Sequence, residues 1–101
     1  MRIEHMKKLR QLNAAGQYCG IDQEGIQGLD LERLSASHNP KITSVAHMKQ
    51  LRKLDAGWEC GIDQEGIKGL DLEKLSIYGN SKIIDTSFMK NLKELNGKSI
   101  N

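Results

Sequence analysis

The stretch CGIDQEGI occurs twice in the chain without a single change, at residues 19–26 and again at residues 60–67. Each copy holds one cysteine, two acidic residues and two glycines. These residue types could form a small chemical site that is used twice, or a structural unit that is stacked twice. The sequence around the two copies favours stacking, as the following patterns indicate.

A long repeat contains both copies. Residues 6–42 align with residues 48–83 when one extra residue is allowed within positions 14–17 of the first copy, and more than half of the aligned positions are then identical, which indicates a repeat protein. A shorter repeat of 20 to 22 residues lies inside the long one. Its units, called units 1 to 5 below, begin at Leu9, Leu31, Leu51, Leu72 and, truncated, at Leu92. Residues 1–8 resemble the tail of a preceding unit.

Each unit opens with the pattern L-x-x-L, followed two positions on by a small or apolar residue. In unit 2 the spacing of Leu31, Leu34 and Ala36 predicts a short strand that is entered through a turn. Neighbouring strands lie about 4.8 Å apart, so equivalent leucines would form continuous buried columns. The Asn that follows the strand in two units, Asn39 or Asn80, would point inward and satisfy backbone groups that otherwise lack partners.

The second half of each unit is expected to return the chain to the start of the next strand. Ile42, Val45 and Met48 are spaced by three, as in one or two helical or 3₁₀ turns. Four glycines interrupt regular helix in the copied units, so short turns are expected there: Gly25, Gly28, Gly66 and Gly69. The carboxylates of Asp22 and Asp63 are expected to cap these turns.

The pattern resembles the leucine-rich repeat, L-x-x-L-x-L-x-x-[N/C] with a period of about 20 to 29 residues. The alternation of a C-G-I-D-Q-x-G-I-x-G-L-D-L unit with an N-P-K-I-x-x-x-x-x-M-K-x-L unit also resembles the leucine-rich-repeat arrays of giant DNA viruses. This resemblance implies an α/β repeat, a leucine-rich-repeat solenoid with a short-stranded parallel sheet on one face and short helical or 3₁₀ turns on the other. It implies an intracellular array, in the cytoplasm of the host cell if the protein is viral, and supplies no catalytic residues.

Cysteine and histidine spacing gives no sign of a metal or redox site. Cys19 and Cys60 are two units apart, roughly 9 to 10 Å at about 4.8 Å per unit, whereas a disulfide requires Cα atoms within about 7 Å. We therefore expect no disulfide and two buried thiols. These cysteines and His5, His38 and His47 lack zinc-site spacing, and each D-Q-E segment has too few carboxylates for a calcium loop. No cofactor or metal is predicted; a metal- or redox-linked role of the thiols is the alternative.

Composition limits the possible functions further. The chain of 101 residues is predicted to form one domain, 1–101, and its 15 basic and 13 acidic residues are interspersed. We therefore expect no nucleic-acid and no membrane surface, because such surfaces cluster basic residues. No apolar run reaches the roughly 18 residues of a membrane span, and no secretory signal is visible. No Ser or Cys lies at a catalytic-motif spacing from a His, so a non-enzyme is predicted.

Residues beside the inward leucines are predicted to face outward along the sheet, where they differ between units. Trp and Tyr anchor many interfaces because they supply large contact area at low entropic cost. We predict a protein-binding strand face in which aromatic residues are flanked by charged ones: Tyr18, Arg33, His38, Arg52, Asp55, Trp58, Lys74 and Tyr78. The alternative interpretation is that the aromatic side chains only cover the strand ends.

The predicted function is non-enzymatic binding of an unidentified protein through the strand face. The ends of the repeat suggest an alternative. No polar capping repeat precedes Leu9, although solenoids need capped ends to remain soluble. The chain is therefore expected to be either a fragment of a longer array or a structural module that forms homo-oligomers through its ends. In the second case, edge strands near Leu9 and Leu92 would pair between molecules.

Overall fold

The computed structural model describes residues 6–99. Their dominant element is one six-stranded sheet, in which strands that follow one another in the chain lie side by side. The first five strands run parallel, and the sixth runs antiparallel to the fifth. The strands are β1 (Gln11–Asn13), β2 (Arg33–Ser35), β3 (Lys53–Asp55), β4 (Lys74–Ser76), β5 (Glu94–Leu95) and β6 (Lys98–Ser99).

Short turns connect the strands. The helical segments in the described part of the chain are α1 (Gln23–Ile26) and one 3₁₀ turn (Glu65–Ile67). Residues 42–48 of unit 2, expected to form one or two helical or 3₁₀ turns, contain one short turn, in which the Met48 amide donates to the Val45 carbonyl at 3.0 Å. The fold is thus of the α/β type, with a mostly parallel sheet and very short helical segments, as the glycines in the copied units predict.

The leucines of the repeat set the register of the sheet. Leu34 lies opposite Leu12 on one side and Leu54 on the other, and Leu54 lies opposite Leu75. Leu34, Leu54 and Leu75 are at most 3% exposed. The predicted strand positions and the predicted column of buried leucines are therefore confirmed.

The core lies between the sheet and the return segments. Its fully buried aliphatic side chains recur at equivalent positions of successive units: Ile26, Leu29, Leu31, Ile42, Val45, Ile62, Ile67 and Leu72. Each such side chain contributes about 1.5–3 kcal/mol relative to an exposed one. The rule that fixes these positions is therefore packing, which explains why they change so little between units.

Asn39 and Asn80 occupy the inward positions predicted for them. Asn39 is fully buried, and its Nδ2 atom donates to the carbonyl oxygens of Ala14 at 2.7 Å and Ile21 at 3.0 Å, both in unit 1. Asn80 forms the equivalent pair of bonds with unit 3. Each amide thus satisfies two carbonyl groups of the preceding unit, and the prediction is confirmed.

The copied motif forms hydrogen bonds within its own turn, as expected, and also to the next unit, which its local pattern does not indicate. Asp22 and Asp63 cap the turn as expected, since each accepts a hydrogen bond from the amide three residues on. The following glutamine reaches the next unit. Gln64 Oε1 accepts hydrogen bonds from the amides of Ile84 at 2.9 Å and Asp85 at 3.0 Å, and its Nε2 donates to the Asp85 carbonyl at 2.8 Å. Gln23 bonds in the same manner to residues 43–44.

The two thiols differ in burial, which corrects one expectation. Both cysteines are free, as predicted, but only Cys60 is buried, whereas Cys19 is half-buried. The difference arises because Cys60 lies between units 2 and 4, while Cys19 belongs to the first unit of the sheet. Burial raises the pKa of the Cys60 thiol above its ordinary value, although the amide of Ile62 opposes this shift with a 3.5 Å bond to the sulfur.

The C-terminal edge of the sheet differs from the expected one. Asn96 and Gly97 both have positive φ angles, of 54° and 78°, which is the backbone of a two-residue hairpin turn. This turn folds β6 back onto β5, so the strand of the Leu92 unit is not the edge strand that was expected. No helix within residues 6–99 is long and apolar enough to cross a membrane.

Candidate protein-binding face

A groove of about 540 Å³ runs along the exposed face of the sheet and crosses all five parallel strands. We call it the strand groove. Because side chains alternate across a strand, the residues on either side of each buried leucine point into it. Its lining residues are Gln11, Leu12, Asn13, Arg33, Leu34, Ser35, Lys53, Leu54, Asp55, Lys74, Leu75, Ser76, Glu94 and Gly97.

One row of the strand groove is basic. In-register pairing sets Arg33, Lys53 and Lys74 directly opposite one another on three neighbouring strands. Lys74 is neutralised by Glu94 on the next strand, whose carboxylate lies 2.9 Å from the lysine Nζ atom. Like charges on facing residues destabilise a sheet, so this row costs the fold stability.

The row of residues one position earlier in each unit has a different charge pattern. Its residues alternate in sign along the sheet: Arg10, Glu32, Arg52, Glu73 and Lys93. Arg52 and Glu73 form an ion pair at 2.7 Å, and Arg10 and Glu32 approach to 3.9 Å. Arg52 was predicted as a binding residue, but it lies outside the lining of the strand groove and is engaged with Glu73.

The row on the other side of the buried leucines is polar, with one charge. It contains Asn13, Ser35, Asp55 and Ser76. Asp55, a predicted binding residue, lines the groove, and its Oδ1 atom accepts a hydrogen bond from the amide of Gly57 at 3.2 Å. The groove thus offers cations along one side and hydroxyl and amide groups, interrupted by a carboxylate, along the other.

Two of the four predicted aromatic residues are in contact. The rings of His38 and Trp58 are stacked, with centroids 5.9 Å apart and planes inclined by 11°. Both residues have left-handed backbones, with φ angles of 61° and 57°, at the position where units 1 and 4 have Gly16 and Gly79. The other side of the Trp58 ring faces Gly79, where a Cβ atom would lie 2.5 Å from the Trp58 Cε3 atom. A glycine at residue 79 therefore makes room for the indole.

The two tyrosines lie in different surroundings from this pair. Tyr78 is 50% exposed, and its hydroxyl donates to the Asn96 carbonyl at 2.8 Å, which ties unit 4 to the C-terminal hairpin. Tyr18 is 90% exposed and precedes the half-buried Cys19. The predicted surface is thus best defined at the stacked pair of His38 and Trp58.

Several groove residues were absent from the predicted site. Lys53 completes the basic row, Glu94 neutralises one end of it, and Ser35 and Ser76 supply hydroxyl groups. The signal that identifies Lys53 is present in the sequence, because it occupies the same position before the second leucine of its unit as Arg33 and Lys74.

Candidate metal ligands are not brought together in the described part of the chain, where no three His, Cys, Asp or Glu side chains form a cluster that could hold a metal ion. The Nε2 atom of His47 lies 3.0 Å from the carbonyl oxygen of Ile26, which engages that ring with the preceding unit. His38 is engaged in the ring stack. His5 lies outside the described residues.

Comparison with known proteins gives no match: no protein-family model, no curated protein and no solved structure is similar enough to this chain to be matched.

Proposed function

We propose that the chain is a leucine-rich-repeat solenoid that binds a protein partner through the strand groove and the adjoining His38–Trp58 pair, and that it catalyses no reaction. The repeat pattern, the in-register parallel strands and the buried leucine column support the solenoid. The contrast between a uniform core and a varied groove lining supports binding. Core positions obey one packing rule, whereas the groove residues are free to suit a ligand.

The observation that carries the proposal is the conformation of Trp58. A left-handed backbone costs a bulky residue roughly 1–2 kcal/mol, and units 1 and 4 avoid that cost with glycine at the equivalent position. Trp58 nevertheless remains 52% exposed. Trp58 thus has a strained backbone, and its large aromatic ring lies partly in solvent beside the groove. A partly exposed aromatic ring of this kind is typical of an interface anchor.

Removal of the ring tests the proposal. Trp58→Gly deletes the indole and relieves the backbone strain, since glycine occupies the same position in units 1 and 4. The matched control is Ile84→Ala, which shortens an apolar side chain that is 84% exposed outside the groove. The immobilised full chain is incubated with lysate, and bound proteins are quantified by mass spectrometry. We expect Trp58→Gly to lose at least about ten-fold of a specific partner while Ile84→Ala retains it. Equal capture by wild type and Trp58→Gly would refute the proposal.

Self-assembly through the ends of the sheet is a second candidate. Leu9 and Leu12 of unit 1 are only half-buried, whereas the equivalent Leu31 and Leu34 of unit 2 are buried. The β1 end is the favoured side, because the edge at the other end is the short antiparallel strand β6, which has only two residues. Mass measurement in dilute solution tests this candidate, and a strictly monomeric chain would contradict it.

A further inference from the structure

We propose that the ligand of the strand groove is an extended peptide segment with an Asp or Glu side chain, whose carboxylate binds between Arg33 and Lys53. This inference rests on the proposed protein-binding function and specifies the chemistry of the partner.

Two of the three cations of the basic row, Arg33 and Lys53, lack a carboxylate partner among residues 6–99. The ion pairs among residues 6–99 are Arg10–Glu32, Arg52–Glu73 and Lys74–Glu94, so neither Arg33 nor Lys53 has a carboxylate partner there. The two residues are direct neighbours across β2 and β3, about 4.8 Å apart along the sheet. A single carboxylate placed between them can accept hydrogen bonds from both cations, which converts the local repulsion into attraction.

The row of Arg10 and Glu32 differs from the basic row in its charge pattern. In that row, too, charged residues lie side by side on neighbouring strands, but their charges alternate in sign and therefore attract one another. The Arg33–Lys53 pair is therefore not a necessary result of the repeat. Because the same chain compensates one row and leaves its neighbour positive, the positive row is suited to an external anion.

The rest of the groove restricts the ligand to one acidic position. Asp55 lies on the same face as Lys53, and Glu94 occupies the end of the basic row. Both carboxylates repel further negative charge nearby. Ser35 and Asn13 can exchange hydrogen bonds with neutral polar groups of a ligand. A peptide with one acidic residue flanked by neutral polar residues fits this arrangement, whereas a nucleic-acid strand would bring its phosphates against Asp55 and Glu94.

A synthetic peptide provides the probe. We choose an acetylated and amidated nine-residue peptide of alternating Thr and Ser with one central Glu, and a second peptide with Gln in place of Glu. Binding to the isotope-labelled full chain is followed by NMR, through the side-chain Nε–Hε signal of Arg33 and the backbone amide of Lys53. We expect the Glu peptide to bind at least about five-fold more tightly than the Gln peptide, and we expect this advantage to shrink as salt is added.

Matched variants assign the effect to the two cations. Arg33→Gln with Lys53→Gln should reduce binding of the Glu peptide to the level of the Gln peptide. The control, Lys68→Gln with Lys90→Gln, changes net charge equally at exposed positions outside the groove and should leave binding unchanged. Arg33→Glu with Lys53→Glu, checked for folding by circular dichroism, should transfer the preference to a peptide with a central Lys.

The outcomes separate this inference from the proposed function. If the Glu and Gln peptides shift the same groove signals with equal affinity, the acidic preference is wrong although the groove still binds peptide. If the Glu peptide shifts no groove signal at millimolar concentration, or if a short oligothymidylate binds Arg33 and Lys53 more tightly, the inference is overturned. Loss of the captured partner in Trp58→Gly tests the proposed function independently of all three results.

Discussion

Gly66 lies so close to Thr43 of the preceding unit that a Cβ atom on the glycine would overlap the threonine carbonyl oxygen. Next to this contact, the amide of Val45 donates to the Gly66 carbonyl at 2.8 Å. The same unit junction has a second close approach, at Gly61, where a Cβ atom would lie 2.5 Å from the Pro40 carbonyl oxygen. Both glycines belong to the copied motif, so its invariance reflects the close approach of neighbouring backbones.

Substitution of this glycine should disturb the junction. Gly66→Ala is expected to lower the free energy of unfolding by about 1–3 kcal/mol, because the added methyl group meets a backbone that cannot move independently of the sheet. Glu65→Ala, an exposed change in the same 3₁₀ turn, is the control and should stay within about 0.5 kcal/mol of wild type. Urea unfolding measures both. Equal stability of Gly66→Ala and wild type would contradict the described contact.

The glutamine that joins units 3 and 4 gives a local prediction. Gln64→Ala removes the acceptor of the Ile84 and Asp85 amides and is expected to cost about 1–2 kcal/mol. Hydrogen exchange of these two amides should accelerate more than exchange in the strands, because these amides lose their acceptor whereas the strand hydrogen bonds remain. Gln27→Ala, at an exposed glutamine, should change neither quantity. Unaltered exchange at residues 84 and 85 in Gln64→Ala would oppose this role.

The buried and the half-buried thiol should react at different rates. An aromatic disulfide reagent at about pH 8 is expected to modify Cys19 readily and Cys60 only as fast as the chain opens. The single-cysteine variants Cys60→Ala and Cys19→Ala separate the two reactions. Similar rapid modification of both thiols in the folded chain would show that Cys60 is accessible and would revive the redox alternative.

The raised pKa of Cys60 also predicts a dependence of stability on pH. In alkaline solution the unfolded chain loses the proton of Cys60 at a lower pH than the folded chain does. The contribution of Cys60 to the free energy of unfolding is therefore complete below the unfolded thiol pKa of about 8.5, and it is lost as the pH rises through the higher folded pKa. We therefore expect the stability difference between wild type and Cys60→Ala to narrow above about pH 8.5. Urea unfolding across that range measures it. A constant difference would contradict ionisation of a buried thiol.

Local patterns predicted much of the fold. The spacing of Leu31, Leu34 and Ala36 identified the strand, and Asn39 and Asp63 take the inward and capping roles assigned to them. These features were predictable because each depends on a few neighbouring residues and on one rule of packing or hydrogen bonding. Repetition then extended the rule to the other units.

Features that depend on contacts between units were harder to predict. The partners of Gln64 lie about twenty residues away, so no local pattern indicates them. The stack of His38 on Trp58 accompanies left-handed backbones in both units, a conformation that is uncommon for residues other than glycine and that no local pattern here indicates. The hairpin at Asn96 and Gly97 is a different case, because an Asn-Gly pair is a recognised turn signal that the repeat pattern overshadowed.

The most direct test of protein binding through the strand groove is a lysine footprint. The immobilised full chain, with and without the proteins it captures from lysate, is briefly acetylated, and modification of each lysine is quantified. We expect captured protein to slow acetylation of Lys53 and Lys74 in the groove several-fold and to leave Lys68 and Lys90 unchanged. Protection of Lys68 and Lys90 with Lys53 and Lys74 still reactive would place the partner elsewhere and contradict the account.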